Sequence, residues 1–184
     1  MADKAGIAAL ALKVLDEQGL AALSMRHVAD AVGVKASAIY WHYPNKAALL
    51  AAVSDVIAGE VPLPPTAGWG IAIRVWMEQL RATLLAHTDS AELLSAALAS
   101  GLSAVDPTAF AQALLRAEGW SELDAKWSTA AMMRFVLGHV AEEQARQRLI
   151  TEKVLPPDTA TLDEAAFNHG VRLLLAGTAN VLPV

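Results

Sequence analysis

The chain contains no cysteine among its 184 residues. Disulfide bonds and thiolate metal sites are therefore excluded, which is usual for proteins of the reducing cytoplasm, where we expect this one. Positive charge is also scarce, because 14 Lys and Arg residues stand against 19 Asp and Glu residues and leave a formal net charge of −5. Non-specific binding to nucleic acid depends on neutralised phosphates, so a general nucleic-acid coat is excluded and any contact with DNA has to be local.

Long apolar runs and alternating β-type patterns are missing as well. The longest weakly polar stretch, residues 93–105, contains Ser and Gly and is too short to span a bilayer, so no membrane segment is predicted. Hydrophobic residues still make up 55% of the chain, largely Ala and Leu, which favour helices. The sequence therefore predicts an all-α fold with about nine or ten helices.

A cluster of helix-breaking residues predicts a boundary between two domains. The segment 61–70 holds three prolines and two glycines, whereas helical patterns precede and follow it. Proline and glycine are the strongest local interruptions of regular structure. We therefore expect an N-terminal domain over residues 1–60 and a C-terminal domain over residues 61–184.

The N-terminal domain carries the pattern of a three-helix, helix-turn-helix unit. Ser24 is suited to cap the second helix, because its hydroxyl can accept from free amides of the first turn. Gly33 predicts the turn, where a Cβ would force strain. A short third helix is expected from about residue 35 to 42, and Pro44 ends it.

Cationic and aromatic side chains crowd this segment of an otherwise acidic chain. Between Ser24 and Lys46 there are three cations and one acid, together with two histidines. The cations lie at or near helix starts, where the helix dipole already favours phosphate. A solvated helical surface is the alternative, but it does not explain two adjacent aromatics beside three cations. The segment predicts a DNA contact.

The motif Tyr40-Trp41-His42-Tyr43-Pro44-Asn45-Lys46, with Arg26 and Gly33-Val34, resembles the DNA-binding domain of the TetR family, and of its tetracycline-repressor branch in particular. The resemblance implies a homodimeric repressor whose helix 35–42 binds a near-palindromic operator and which a small-molecule inducer releases. It also implies the DNA-binding residues, which are Ser24, Arg26, Lys35, Ala36, Ser37, Tyr40, Trp41, His42 and Lys46.

The longest predicted helix, from about residue 121 to 149, indicates a partner subunit. Between Thr129 and Ala141 its only charged or strongly polar residues are Arg134 and His139. A helix that is apolar nearly all round has to be covered on more than one side. A homodimer in which this helix and the last helix form a four-helix bundle satisfies that need. A fully buried central helix in a monomer is the alternative.

Aromatic and methionine residues of the C-terminal domain predict an apolar ligand pocket, with ordinary core packing as the alternative for each of them. Arg134 is expected to need a partner, because it is a charge among apolar residues. The expected ligand-binding residues are Trp76, Met77, His87, Phe110, Trp127, Met133 and Arg134.

Residues 135–144 resemble the corresponding helix of the tetracycline-repressor C-terminal domain, in which a glutamate of this segment and a histidine of an earlier helix bind the drug as a magnesium chelate. Glu142 matches the glutamate of that site, but no histidine stands at the matching place on an earlier helix. We therefore expect no metal and no cofactor. The sequence also has no Gly-rich phosphate loop, nucleophile motif or metal-spaced His/Glu cluster, so no enzyme is predicted. A helical protein-binding adaptor and a small enzyme are the alternatives.

Overall fold

Helices account for the regular structure of the computed structural model, which describes residues 3–65, 67–156 and 164–180. Within these residues there are nine α-helices and no strand, so the all-α prediction is confirmed. The first four helices, with a short 3-10 turn at Leu20–Ala22, are α1 Lys4–Gln18, α2 Met25–Val32, α3 Ala36–His42 and α4 Lys46–Gly59. The remaining helices are α5 Trp69–Leu85, α6 Ser90–Ser100, α7 Ala109–Ala117, α8 Glu122–Thr151 and α9 Glu164–Ala179.

The chain packs as two compact units that are not continuous in sequence. The first combines Met1–Glu60 with Thr83–Asp106, and the second combines Val61–Ala82 with Pro107–Val184. The chain leaves the first unit after residue 60, where the sequence places a boundary, and returns to it because α6 packs along α4. The division into one domain over residues 1–60 and another over residues 61–184 stays a prediction.

Local capping residues define the helix-turn-helix of the first unit. The Ser24 hydroxyl accepts a hydrogen bond from the His27 amide at 3.2 Å and begins α2. Gly33 ends α2 in the left-handed conformation, with φ of 75°, which a residue with a Cβ rarely adopts. The Asn45 side chain accepts from the Ala48 amide at 2.9 Å and begins α4. These caps fix α3 between two defined helix ends.

The second unit is built around α8, which is 30 residues long. Ser121 caps this helix, and α8 packs against both α7 and α9. One face of α8 is buried, and it includes Met132, Met133 and Val136. Among the described helices, none combines the length and the hydrophobicity that crossing a membrane requires.

Candidate functional site

The surface of α2 and α3 displays the residues that the sequence singles out for DNA contact. Tyr40 is 53% exposed and its neighbour Trp41 is 85% exposed, although both are large apolar rings. Burying such rings normally stabilises a fold, so their exposure indicates a binding surface. The structure leaves seven of the nine predicted residues exposed and two half-buried: Ser24, Arg26, Lys35, Ser37, Tyr40, Trp41 and Lys46 are exposed, and Ala36 and His42 are half-buried.

The cations of this surface are not neutralised by the protein. Arg26, Lys35 and Lys46 are exposed, and none of them forms an ion pair with an acidic group in the described part of the chain. Three arginines elsewhere in these residues do pair with glutamates. A set of unpaired cations beside exposed aromatic rings provides a local positive field for phosphate.

The inner side of α3 is fixed by two buried residues. Ile39 is fully buried in the first unit. Tyr43 is also buried, and its hydroxyl donates a hydrogen bond to the Lys4 carbonyl oxygen at 2.6 Å. Burial, together with the negative charges of Asp3 and Asp55, raises the pKa of Tyr43, so the phenol keeps the proton that it donates. The end of α3 is thereby tied to the first turn of α1.

Six of the seven residues expected to bind a ligand lie in the second unit, and they differ in environment. Trp76 is buried and its indole N–H donates to the Pro107 carbonyl oxygen at 3.1 Å. Trp127 is 63% exposed on α8, and Arg134 is exposed as well, so solvent satisfies its charge. Met77 and Met133 are buried in the core, and Phe110 is half-buried.

His87, the seventh of these residues, lies in the first unit and contacts two acids. Its Nδ1 is 3.0 Å from Asp16 of α1, and its Nε2 is 2.9 Å from Glu60 at the end of α4. Burial alone would lower the pKa of His87, but the hydrogen bonds and charges of Glu60 and Asp16 outweigh it and the pKa is raised. The neighbouring Thr88 strengthens this contact, since its amide donates to Asp16 at 3.2 Å.

A charged cluster of the second unit was missed by the sequence reasoning. Arg81 of α5 donates two hydrogen bonds to Glu143 of α8, at 2.9 and 2.7 Å. His139 of α8 is buried, with Nε2 at 3.3 Å from Glu143. That nitrogen has no hydrogen-bond partner among the described residues. The i, i+4 spacing of His139 and Glu143 was the available signal, but nothing local pointed to Arg81.

Aromatic rings line this cluster. The Arg81 guanidinium lies 5.1 Å from the ring centre of Phe167 on α9. Phe135 stacks on Phe167 with ring centres 5.5 Å apart, and His139 lies 5.2 Å from the same ring. A Cβ at Gly170 would overlap the Phe135 ring, so this close approach requires glycine.

Two stretches of the chain match families of known proteins. Residues 7–53 match the family described as bacterial regulatory proteins, tetR family, and residues 61–155 match the tetracyclin repressor-like C-terminal domain. The chain belongs to the TetR family. It is a DNA-binding transcriptional regulator with a C-terminal ligand-binding domain, and this family is one of regulators and not of enzymes.

Individual TetR-family relatives agree with this assignment. The chain is 30% identical to the tetracycline repressor protein class G of Vibrio anguillarum, over 95% of this chain and 92% of that protein. It is 35% identical to an HTH-type transcriptional regulator of Saccharopolyspora erythraea over 74% of this chain, and it spans only 59% of that regulator's length. BioQ of Mycobacterium smegmatis is 34% identical, with a TM-score of 0.88 over 98% of this chain and 99% of BioQ.

The magnesium–drug site of tetracycline repressors is not supported by the residues of this TetR-family chain. Glu142, which matches the glutamate, is half-exposed and lies 3.5 Å from Arg146. No group of three or more His, Cys, Asp or Glu side chains is placed to hold a metal ion within the described ranges. Since no histidine stands at the matching place on an earlier helix, the residues present do not fit a histidine–glutamate magnesium site.

Proposed function

We propose that the protein is a ligand-responsive repressor that binds a near-palindromic operator as a homodimer and leaves it when a small molecule binds the C-terminal domain. The observation that carries the proposal is the surface of α2 and α3, where unpaired cations lie beside the exposed rings of Tyr40 and Trp41. DNA is the partner that uses both features, because phosphates need cations and base edges need an exposed helix.

Within this proposal the contacts divide by chemistry. Arg26 is suited to a guanine, since its guanidinium can pair with the O6 and N7 acceptors. Ser37 and Tyr40 of α3 and Lys35 just before it face the major groove, and Ala36 offers an apolar contact to a thymine methyl group. Ser24, Trp41, His42 and Lys46 contact phosphates or flanking bases and fix the register. The solved complex of BioQ with its double-stranded DNA operator supports a DNA partner for this fold.

The homodimer is supported by apolar side chains that the single chain leaves uncovered. Leu123 and Trp127 of α8 are 57% and 63% exposed, and Leu173 of α9 is 62% exposed. Two copies of α3 are also needed to contact two half-sites about one helical turn apart. Sedimentation of the full chain tests this point: we expect a dimer, and Leu173→Glu should favour the monomer, whereas a monomeric wild type would contradict it.

Release follows from a ligand that binds more tightly to a form of the dimer with a different half-site spacing. It shifts the equilibrium only by as much as it prefers that form. α4 begins at Lys46 beside the DNA-contacting residues and packs along α6, so it is suited to carry the change. Trp76, Met77, Phe110 and Met133 are candidates for the apolar wall of the pocket, while ligand contacts by the exposed Trp127 and Arg134 stay predictions.

A gel-shift assay with the DNA that flanks the protein's own gene tests the proposal. We expect retardation of this duplex at low salt and none of a scrambled duplex of the same length. Addition of a true inducer lowers the operator affinity, and equal affinity with and without a compound rejects that compound as inducer. Failure to retard any duplex at low salt would contradict the repressor.

A further inference from the structure

The charge of Arg81 is mostly buried in the second unit, whereas charges on helix surfaces are usually exposed. Its side chain is 17% exposed and that of its partner Glu143 is 19% exposed. The other two arginine–glutamate pairs of the described residues join neighbours four positions apart on one helix. The Arg81 pair instead joins α5 to α8 across 62 positions of sequence.

Stability alone does not account for such a pair. Removing two charges from water costs free energy that their attraction only partly returns, and apolar residues of similar size often stabilise as well. Here apolar rings already surround the pair, because Phe167 lies under the guanidinium and Phe135 stacks on Phe167. The favourable packing of this region therefore does not require a charge pair.

The geometry around Glu143 offers that use. Glu143 occupies the two-pronged face of the guanidinium, whose geometry matches the two oxygens of a carboxylate. His139 keeps its buried Nε2 at 3.3 Å from Glu143, without a hydrogen bond among the described residues. If another carboxylate took the place on Arg81, an N–H of the imidazole could satisfy Glu143. The exchange leaves neither acid without a donor.

We propose that Arg81 is the anchor for a small ligand that carries a carboxylate on a planar aromatic body. The ligand's carboxylate replaces Glu143 on the guanidinium, Glu143 turns to His139, and the aromatic body packs against the half-buried ring of Phe135. The inference rests on the proposed function, because it names the chemical class of the molecule to which the C-terminal domain responds. No covalent bond is made or broken in this exchange.

Calorimetric titration of the full chain, without DNA, tests the anchor. The probes are benzoate, 2-naphthoate and indole-3-acetate, each compared with its own neutral amide, which keeps the shape and removes the charge. We expect at least one carboxylate to bind about tenfold more tightly than its amide, which corresponds to one charge-assisted pair. Equal binding of every acid and its amide, or no binding of any acid, overturns the proposal.

Two variants locate the binding on the cluster. Arg81→Gln should weaken the carboxylate by about tenfold or more, whereas Arg74→Gln, which removes an exposed α5 arginine paired with Glu78, should leave it unchanged. Glu143→Gln should tighten the carboxylate by roughly threefold, because the internal competitor is gone. Glu142→Gln on the same helix is its control. A purely structural pair predicts weaker or equal binding in Glu143→Gln, which would overturn the anchor even if Arg81→Gln does not fold.

The outcome separates the anchor from the repressor. If the protein retards its operator but binds no carboxylate probe, the repressor function is supported and the anchoring role of Arg81 is contradicted. If the protein binds the probe through Arg81 but retards no duplex, the anchoring role of Arg81 is supported and the repressor function is contradicted.

Discussion

The two arginine sites of this chain differ in where the partner of the charge is found. Arg26 on α2 is exposed and meets no acidic group among the described residues, whereas Arg81 on α5 is 17% exposed and fully engaged by Glu143. An open cation is available to any phosphate that approaches, and this suits a long charged polymer. An arginine that is already paired with a glutamate binds only a ligand that replaces this glutamate, and this suits the recognition of a small acid.

The largest effect is expected at the open site. Arg26→Ala should weaken operator binding by about 1–3 kcal/mol and relax the preference at one base position, because a bidentate contact to guanine is lost. Lys13→Ala is the matched control, since Lys13 is an exposed cation on α1 outside the DNA-contacting segment. Fluorescence anisotropy with labelled duplex measures both. Equal losses of operator affinity in the two variants would mean that only the net charge of the protein matters for DNA binding, and this would contradict a specific contact by Arg26.

The engaged site should show its effect in stability instead. Glu143→Ala leaves Arg81 enclosed without its partner, and we expect a loss of about 1–2 kcal/mol in the free energy of unfolding, reduced from the fully buried case because the pair is partly solvated. Glu142→Ala removes a half-exposed acid whose partner Arg146 lies one turn away, so its cost should stay below about 0.5 kcal/mol. Urea unfolding compares them. Similar costs for both would show that Glu143 is a surface charge like its neighbour.

Ser24 combines two roles in this account, because one hydroxyl can both cap α2 and contact phosphate. Ser24→Ala should lower the free energy of unfolding by about 1 kcal/mol, and Ser24→Gly by only a few tenths, since glycine tolerates the cap position. If the hydroxyl also contacts phosphate, Ser24→Gly still weakens operator binding. Stability and affinity measured on both variants separate the roles, and an unchanged affinity in the glycine variant would remove Ser24 from the DNA contacts.

The smallest effect is a pH dependence at His87, which is paired like Arg81 but can lose its charge. Because its folded-state pKa is raised by Glu60 and Asp16, the stabilisation is fully present below the unfolded pKa of about 6.5 and is lost as pH rises through the folded pKa. The stability difference between wild type and His87→Gln should therefore be largest near about pH 5.5 and shrink toward about pH 8.5. A difference that stays constant with pH would show that the charge of His87 does not contribute.

The same contrast explains what the sequence could predict. The helix-turn-helix is encoded within a short segment, where the cap at Ser24 and the left-handed turn at Gly33 are local signals that the structure bears out. The family, and with it the fold, followed from the motif around Tyr40 and Trp41.

The enclosed cluster could not be predicted, because its members are distant in sequence. Arg81 of α5 and Glu143 of α8 are 62 positions apart in the chain, and no periodicity reports such a pair. Neighbouring residues of a helix point about 100° apart, and for this reason Met133 is buried while Arg134 beside it is exposed. The sequence pattern alone marked both residues as enclosed. It could not distinguish them, because the environment of α8 is set by elements far away along the chain.

Hydrogen–deuterium exchange of the full chain, with and without the operator duplex, tests the central claim most directly. The account predicts slower exchange in peptides that cover residues 24–46, strongest around the α2–α3 turn and the segment between α3 and α4. Unchanged exchange across residues 24–46 while the duplex is bound would contradict it, because DNA would then be held by another surface of the molecule.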